Sequence, residues 1–349
     1  MTYWSNSGFV YFDCQTQTRR TAPASVVPLL DAMENWHTPE SFAKLHPEIG
    51  AERQVASLFE SLAGLGLAER EGDRGEKYAW SDWLPEAAFF HFATRDSVYP
   101  LDILEYELPL VEKAKTIPQP VPTKTSAGPR SPLPAARDMG ELGLALKSRR
   151  TWRQFRQAPI DLASLATLMG LTWGIQRCGV VRGQGKVVFR TSPSGGSRHP
   201  GEAYVIAHRV TGLAPAVYHY DSATHELVKV GPRLPRDRFV RILANQHYFR
   251  DCAAAIVMTA CFERPMWRYP FTRAYRSVLI EAGHLAQTFA LLATTMQLAP
   301  FQTIAFRDSE LERVIGVDGV KESAMYVLGV GQQTRPVVDH PGRMLPRRS

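Results

Sequence analysis

The residues able to do chemistry in this chain fall in three short stretches. Ser148-Arg149-Arg150-Thr151-Trp152-Arg153 sets three guanidiniums and two hydroxyls within six positions, a composition that clamps a phosphate through charge-assisted, often bidentate hydrogen bonds. The same run is also what a solvated basic helix end looks like, favoured there by the helix dipole. Arg190-Thr191-Ser192-Pro193-Ser194-Gly195-Gly196-Ser197-Arg198-His199-Pro200 joins two adjacent glycines to hydroxyls and fixed charge. Lacking Cβ atoms, Gly195 and Gly196 let the backbone approach a flat or anionic group, although taken alone such a cluster reads as a turn. The third stretch, Met266 to Arg276, interleaves Trp267, Tyr269, Phe271 and Tyr275 with Arg268, Arg273 and Arg276. Aromatics and arginines in that order line a cleft or snorkel over an apolar ledge.

Several other chemistries are excluded. Gly179 to Lys186 has the wrong glycine spacing for a phosphate loop, and Val187 stands where Ser or Thr is needed. There is no G-x-S-x-G elbow, no H-E-x-x-H and no close Cys/His set, so no metal site is expected. A strand followed by GxGxxG and a helix is also missing. The four cysteines (Cys14, Cys178, Cys252, Cys261) are scattered, which suits free thiols in a reducing cytoplasm. No apolar run reaches the roughly 18 residues of a membrane span, and Met1 to Ser5 lacks the basic-then-apolar order of a signal peptide. The expectation is a cytoplasmic protein that binds neither membrane nor nucleic acid. The net charge of +7 is concentrated in local arginine clusters and a basic tail, which anionic cofactor or substrate groups explain.

The elements that must position these residues divide the 349-residue chain. Residues 1–95 read as a small helical module, with helices at Ser25 to Trp36, from the Thr38-Pro39-Glu40-Ser41 start, and at Glu52 to Leu65. With the turn Glu71 to Gly75 and the run Lys77 to Trp80 this is a winged-helix-like pattern. Its third helix (Glu52, Arg53, Gln54, Ser57, Glu60, Ser61) is not basic, so peptide or partner docking, or plain packing, fits better than DNA. Residues 96–138 form a connector, proline-rich from Ile117 to Arg137. Residues 139–340 form the larger domain, and 341–349 the tail. In that domain a helix runs from about Leu142 into Arg156, and Asp161 caps a helix carrying Leu162, Leu165 and Met169. Ala203 to Ala207, the hairpin Val217–Asp221 with Glu226–Val230, Ala253 to Cys261 and Ala324 to Val330 are strands. Tyr275 to Leu298 is a long helix packed lengthwise through Val278, Ala282, Leu285, Phe289, Leu292 and Met296. The fold class is α+β, a sheet between helices.

In combination the motifs carry a resemblance. Arg149-Arg150-Thr151-x-Arg153 resembles the S-R-R-[ST]-x-R opening of flavin-dependent nitroreductase-fold proteins. Arg190 to Pro200 resembles the R-x-x-P-S-x-G-x-x-H-P segment of the SagB-type dehydrogenases, the branch that includes azoline dehydrogenases of ribosomal peptide biosynthesis. The resemblance continues through Tyr218-His219-Tyr220-Asp221, Arg273-Ala274-Tyr275-Arg276, Glu281 to Gln287, Phe306-x-Asp308 and Gly316 to Gly319. It implies a nitroreductase-like FMN-binding fold with a mixed sheet between helices, assembled as a homodimer. By motif match Arg149, Arg150 and Thr151 would hold the phosphate and ribityl oxygens, with Arg153 close by. Ser194, Gly195 and Gly196 would lie against the flavin. Gln302 to Ala305, through the backbone of Thr303, Ile304 and Ala305, would face its N5 edge. Gln287 is assigned to the cofactor side, and His284 to helix packing.

The implied chemistry is dehydrogenation of a peptide or peptide-derived heterocycle, such as thiazoline or oxazoline to thiazole or oxazole. A base takes the former Cα proton, hydride passes to flavin N5, and oxygen reoxidises the flavin. Azoline dehydrogenases carry a Lys-Tyr pair before R-x-Y-R; here the catalytic candidates are Arg268 and Tyr269. Arginine cannot be deprotonated and so cannot be the base, which leaves it to tune Tyr269 or to orient an anionic substrate. A cyclodehydratase or another biosynthetic enzyme is the implied partner. The alternatives are an NAD(P)H-dependent nitroreductase or flavin reductase, and a peptide-binding scaffold with a vestigial flavin site.

Overall fold

The protein is described by a computed structural model. It covers residues 2–334 apart from 6–7, 14–17, 24, 34, 66, 69, 72–79, 81, 84, 98, 100–102, 118, 121, 123–130, 136 and 183–184. Two compact units form, one from Met1–Thr94 with Tyr269–Arg273, the other from Arg95–Arg268 with Ala274–Ser349.

The first unit opens with three strands that the helical spacing did not lead one to expect. They are β1 (Thr2–Ser5), β2 (Gly8–Asp13) and β3 (Thr18–Ala22), an antiparallel sheet in chain order. The run Phe9-Val10-Tyr11-Phe12 is aromatic and β-branched, as strands prefer, and it buries Phe9, Val10 and Phe12. Helices α1 (Val26–Ala32), α2 (Pro39–Leu45) and α3 (Glu52–Gly64) follow. The expected start of α2 is present: Thr38 Oγ1 accepts from Ser41 N at 3.1 Å, and Ser41 Oγ accepts from Thr38 N at 2.9 Å, a reciprocal capping pair. Phe42 is fully buried, 5.2 Å edge-on from Phe59 of α3. Between α1, α2 and α3 runs an open groove of about 950 Å³ lined by Leu30, Met33, Trp36 and Phe59. Helix α4 (Pro85–Thr94) packs His91 and Phe92 on Trp80. The Trp83 indole donates to the Tyr269 carbonyl at 2.9 Å, which ties residues 269–273 to this unit. Lys77 to Ala79, read as part of a wing, lie outside the described residues.

The second unit begins with α5 (Ile103–Thr116), a helix inside the stretch read as connector. Helix α6 (Gly140–Ser148) ends sooner than its apolar spacing predicts. Ser148 Oγ bonds back to the Leu144 carbonyl at 2.6 Å, and Arg149 takes an extended ψ of 128°. Beyond it Trp152 N donates to the Pro300 carbonyl at 3.0 Å, and β4 (Phe155–Arg156) joins the main sheet. The helix from Leu142 into Arg156 is therefore corrected: tertiary pairing outweighs helix propensity after Ser148. Next come β5 (Ile160–Asp161) and α7 (Leu162–Thr172), capped as expected by Asp161, which accepts from Ser164 N at 2.6 Å. Gly179 lies in β6 (Arg177–Val181) and Gly185 in β7 (Gly185–Phe189), which pair as an antiparallel hairpin. There follow β8 (Gly201–Ala207), β9 (Val210–Thr211), β10 (Val217–Asp221), β11 (Glu226–Gly231) and α8 (Arg236–Ile242). The chain ends with β12 (Ala254–Cys261), α9 (Glu263–Arg268), α10 (Tyr275–Thr295), β13 (Leu298–Thr303), α11 (Asp308–Ile315) and β14 (Glu322–Gln333).

The main sheet has seven strands in the order β11-β10-β8-β12-β14-β13, with β4 on β14. Among the described residues its ladders are antiparallel, and parallel pairing is confined to β5 with β9. Both faces of its centre are covered, which is why β8 and β12 read as continuous apolar runs rather than alternating ones. Val205, Ile256 and Met258 pack with Leu168 of α7, Trp173 at its C-terminal end, and Leu285 and Phe289 of α10. Ile206, Val257 and Val327 face Phe239, Phe249, Phe301 and Leu311. No helix among the described residues is long and apolar enough to cross a membrane.

The start of α11 is fastened by the residues that open this unit. Arg95 forms a buried ion pair with Glu312 and donates to the Gly319 carbonyl at 3.1 Å. Asp96 accepts from Ser309 N at 3.0 Å, while its own N–H reaches Asp308 at 2.8 Å. Gly319 has a left-handed φ of 72°, and a Cβ there would fall 2.5 Å from Glu312 Oε2. Only glycine leaves room for the pair, which gives the Gly316–Gly319 motif a physical reason.

Candidate cofactor and active site

The loop Arg190 to Pro200 is held at almost every position. Arg190 is half-buried, its Nη1 donating to the Gly201 carbonyl at 2.9 Å and its Nη2 to Ser222 Oγ at 3.2 Å. Thr191 Oγ1 donates to the Leu171 carbonyl at 2.5 Å, and Ser192 Oγ meets Thr288 Oγ1 of α10 at 2.8 Å. His284 Nδ1 lies 3.3 Å from the Pro193 carbonyl, so the packing role expected for His284 includes this loop. Ser194 Oγ accepts from His199 N at 2.9 Å, closing a tight 3-10 turn over Gly195–Ser197. Inside it Gly196 (φ 58°), Ser197 (52°) and His199 (45°) are all left-handed. For Ser and His that conformation is strained, and such strain persists only where surrounding contacts over-determine it.

Two charged networks, one buried and one partly exposed, supply those contacts. Glu281, one helical turn from Val278 on the inward face of α10, is buried and its Oε1 has no hydrogen-bond partner among the described residues. Burial pushes its carboxyl up, against the Ser194 hydroxyl, Arg190 and the Gly201 N–H, which favour the charged form. Sequence reasoning missed Glu281; the signal was a carboxylate within the apolar seam of a helix. On the other side Glu202 takes Arg264 Nη1 at 2.5 Å and His219 Nε2 at 3.2 Å. Burial alone would raise Glu202, but those partners hold it below the usual carboxylate range, and it in turn raises His219. His199 is pushed down to about 4 by burial and by Arg190 beside it, and its Nε2 lies 3.0 Å from the Val188 carbonyl. It is a neutral structural group at physiological pH.

Helix α10 also contacts β13 and α6, the elements that carry or adjoin the other predicted residues. Besides Thr288 and His284, its Ala286 carbonyl accepts from Gln302 Nε2 of β13 at 2.7 Å, and α6 packs on it. Gln287 is exposed next to Thr288. Thr303 is buried, with its Oγ1 accepting from Ala305 N at 3.0 Å, while Ile304 is 71% exposed. Of the three predicted backbone donors, Ala305 is therefore already engaged within the chain. Arg150 is exposed, its Nη1 on the Lys147 and Arg149 carbonyls at 3.0 and 3.2 Å. Thr151 is exposed beside it, Arg149 is half-buried, and Arg153 lies over the Phe301 ring at 5.9 Å. Arg149, Arg150 and Arg153 form no ion pair among the described residues. Unneutralised arginines and, separately in the same unit, a left-handed glycine turn have the chemistry that suits a planar cofactor carrying a phosphate. Arg268 ends α9, next to Trp267, whose ring lies under Arg198. Tyr269 belongs to the first unit, half-buried, with its ring 5.8 Å from Phe271.

An antiparallel sheet clothed by helices, with a strained glycine turn fastened to one long helix, defines an α+β domain. A family model described as "Nitroreductase family" matches residues 146–332, more than half of the chain, and the protein belongs to that family. It is 27% identical over 198 residues to "Putative nitroreductase MJ1384" of Methanocaldococcus jannaschii, a match covering 56% of this chain and 94% of that one. It is 30% identical over 145 residues to the trifolitoxin-processing protein TfxB of Rhizobium leguminosarum bv. trifolii, covering 40% of this chain and 39% of TfxB. Among solved structures, the E. coli microcin synthetase McbBCD complex with truncated pro-MccB17 bound shares the fold. That match has a TM-score of 0.53 at 20% identity and covers 72% of this chain and 95% of the matched one.

Proposed function

We propose that this protein is a cytoplasmic, FMN-dependent dehydrogenase of the SagB type that oxidises a peptide or a peptide-derived heterocycle. The observation that carries the reading is the turn with left-handed Gly196, Ser197 and His199, fastened to α10, together with Arg149, Arg150 and Arg153, which form no ion pair among the described residues. The similarity to a toxin-processing protein supports a peptide as substrate. Arg149 and Arg150 would take the phosphate, Thr151 and Arg153 the neighbouring oxygens, and Ser194, Gly195 and Gly196 would lie along the ring. Gln287 and the backbone at Thr303 and Ile304 would close the far side. Bound FMN would supply a two-electron acceptor. Tyr269 would hold a proton at its hydroxyl, with Arg268, which stays charged, orienting substrate. Exposed Leu144 and Leu146 on α6 and Ile280 on α10 support burial of this surface in a homodimer. The N-terminal unit, through the groove between α1, α2 and α3, would dock the peptide or a cyclodehydratase partner.

The test starts from the purified protein. Flavin absorbance, or its recovery on adding FMN, is expected, followed by loss of two hydrogens from a precursor peptide in the mass spectrum. A protein that cannot be reconstituted with FMN would be a scaffold rather than an enzyme. The match spanning nearly all of MJ1384 favours a second reading, an NAD(P)H-dependent nitroreductase or flavin reductase. Rapid anaerobic bleaching of the flavin by NADPH without peptide would select it.

A further inference from the structure

We propose that the protein carries a carboxylate-binding subsite on the outer side of the Gly195–Ser197 turn, formed by Lys186, Arg198 and Trp267. Its assignment to substrate recognition rests on the peptide-dehydrogenase reading above; the subsite itself rests on geometry. A cavity of about 330 Å³ lies between β7, the turn and α9. Both of its walls are tied to His199. The Val188 carbonyl of β7 lies 3.0 Å from His199 Nε2, and Arg264 of α9 donates to the His199 carbonyl at 2.8 Å. The width is thus set before any ligand arrives, the preorganisation that lowers the cost of binding.

The lining has the chemistry of a monoanion attached to a short carbon stem. Val187 and Val188 give one apolar wall, and Trp267, 58% exposed, gives the other. The Arg198 guanidinium carbon sits 5.2 Å from the Trp267 ring centre, while its Nε donates to the Gly196 carbonyl at 3.0 Å. Stacking and that hydrogen bond together fix the plane of a fork whose geometry matches a carboxylate. Lys186, on the facing strand, makes no ion pair among the described residues. The charge of Arg264 is already matched by Glu202. Glu263 is the acid of the lining; it opposes a dianion such as phosphate and can accept the N–H of a bound peptide. An aspartate or glutamate side chain and a chain-terminal carboxylate share this chemistry.

The experiment uses the full chain with ¹⁵N-labelled tryptophan, the Trp267 indole being assigned by Trp267→Phe. N-acetylglutamic acid α-amide is expected to shift that resonance saturably, and its glutamine counterpart is not. Lys186→Glu is expected to weaken the acidic probe at least about tenfold, and Lys186→Gln less, with unchanged melting temperatures. Tighter binding of N-acetylvaline than of the glutamic amide would support the subsite and place its ligand at a chain terminus. The proposal is overturned if neither carboxylate shifts Trp267 up to about 20 mM. It is also overturned if glutamine and glutamate probes bind alike, if phosphate binds tightest, or if both Lys186 variants match wild type. Titrations with and without FMN separate the two claims. Carboxylate binding in a protein that cannot take FMN removes only the dehydrogenase reading; FMN binding without carboxylate binding removes only the subsite.

Discussion

Arg95→Ala removes the cation from a pair in which both side chains are almost fully enclosed, 5% and 4% exposed. Glu312 would keep the Ser323 hydroxyl at 2.6 Å and Ala324 N at 3.1 Å, but no countercharge. Breaking a buried pair from one side costs about 3–5 kcal/mol, because the remaining charge stays desolvated. The cost has a predictable pH dependence. In the wild type burial pushes the Glu312 carboxyl up to about 7, with Arg95 pulling the other way. The folded state then holds a proton that the unfolded chain releases near its ordinary value of about 4.3. This group's contribution therefore falls as pH rises from about 4.3 to about 7 and is level above. Without Arg95 the folded value climbs further, so the deficit is greatest above neutrality and shrinks in mild acid, where neutral Glu312 tolerates burial. Asp308, raised by burial to about 6 against the pull of the same Arg95, titrates in the same window, and losing Arg95 shifts it in the same direction, so it adds to the pH dependence of the deficit. Urea unfolding at about pH 5.5 and about pH 8 is followed by labelling of Cys252, fully buried in the same unit. A deficit below about 1 kcal/mol at the higher pH, or one equal at both, would refute the reasoning. The double variant Arg95→Met with Glu312→Gln is expected to recover part of the loss, since no uncompensated charge remains and the amide oxygen still accepts from Ser323 and Ala324.

Tyr269→Phe should abolish peptide oxidation while FMN stays bound; turnover near wild type removes the hydroxyl from the mechanism. Arg150→Ala, at an exposed position, should leave melting unchanged. By losing a charge-assisted contact of about 1.5–3 kcal/mol it should weaken FMN binding about ten- to a hundredfold, read by flavin fluorescence quenching. Glu281→Ala should loosen the loop that Glu281 backs and speed tryptic cleavage after Arg198, with Glu281→Gln milder; equal cleavage in all three proteins would show that the carboxyl does not brace the turn. His199 should titrate by NMR near 4 rather than near its ordinary 6.5, so stability it contributes at neutral pH is lost as pH falls through that interval. A midpoint of about 6 or above would contradict its buried, neutral state.

The parts of this molecule specified by local chemistry were legible in the sequence. Thr38-Pro39 and Asp161 each announced a helix by capping, and both helices begin there. The doubly buried strand β12 announced itself by its lack of alternation. Elements decided by distant partners were not legible. Arg149 to Arg156 continues a helical pattern, and only the Pro300 carbonyl and the edge of β14 turn it into extended chain. The strands β1–β3 carried a composition signal in Phe9 to Phe12 that the stronger helical spacing downstream overshadowed. For the candidate site, the glycines and arginines were visible as residue types. Half-buried Glu202 becomes apparent only once strand β8 meets its partners, whereas buried Glu281 left a trace as a carboxylate in the apolar seam of α10.

The membership of Tyr269–Arg273 in the first unit has a consequence for how the chain must be made. During synthesis the N-terminal 94 residues leave the ribosome long before that segment exists. The Trp83 indole waits for a carbonyl roughly 190 positions downstream. Completion of the smaller unit is thus deferred until most of the larger one has emerged. Cutting the gene after Thr94 would yield a fragment missing one of its own pieces. Such a return of the chain lengthens the sequence separation of contacts and slows folding. It also means that the tyrosine proposed for catalysis is delivered by a segment whose fold matures late.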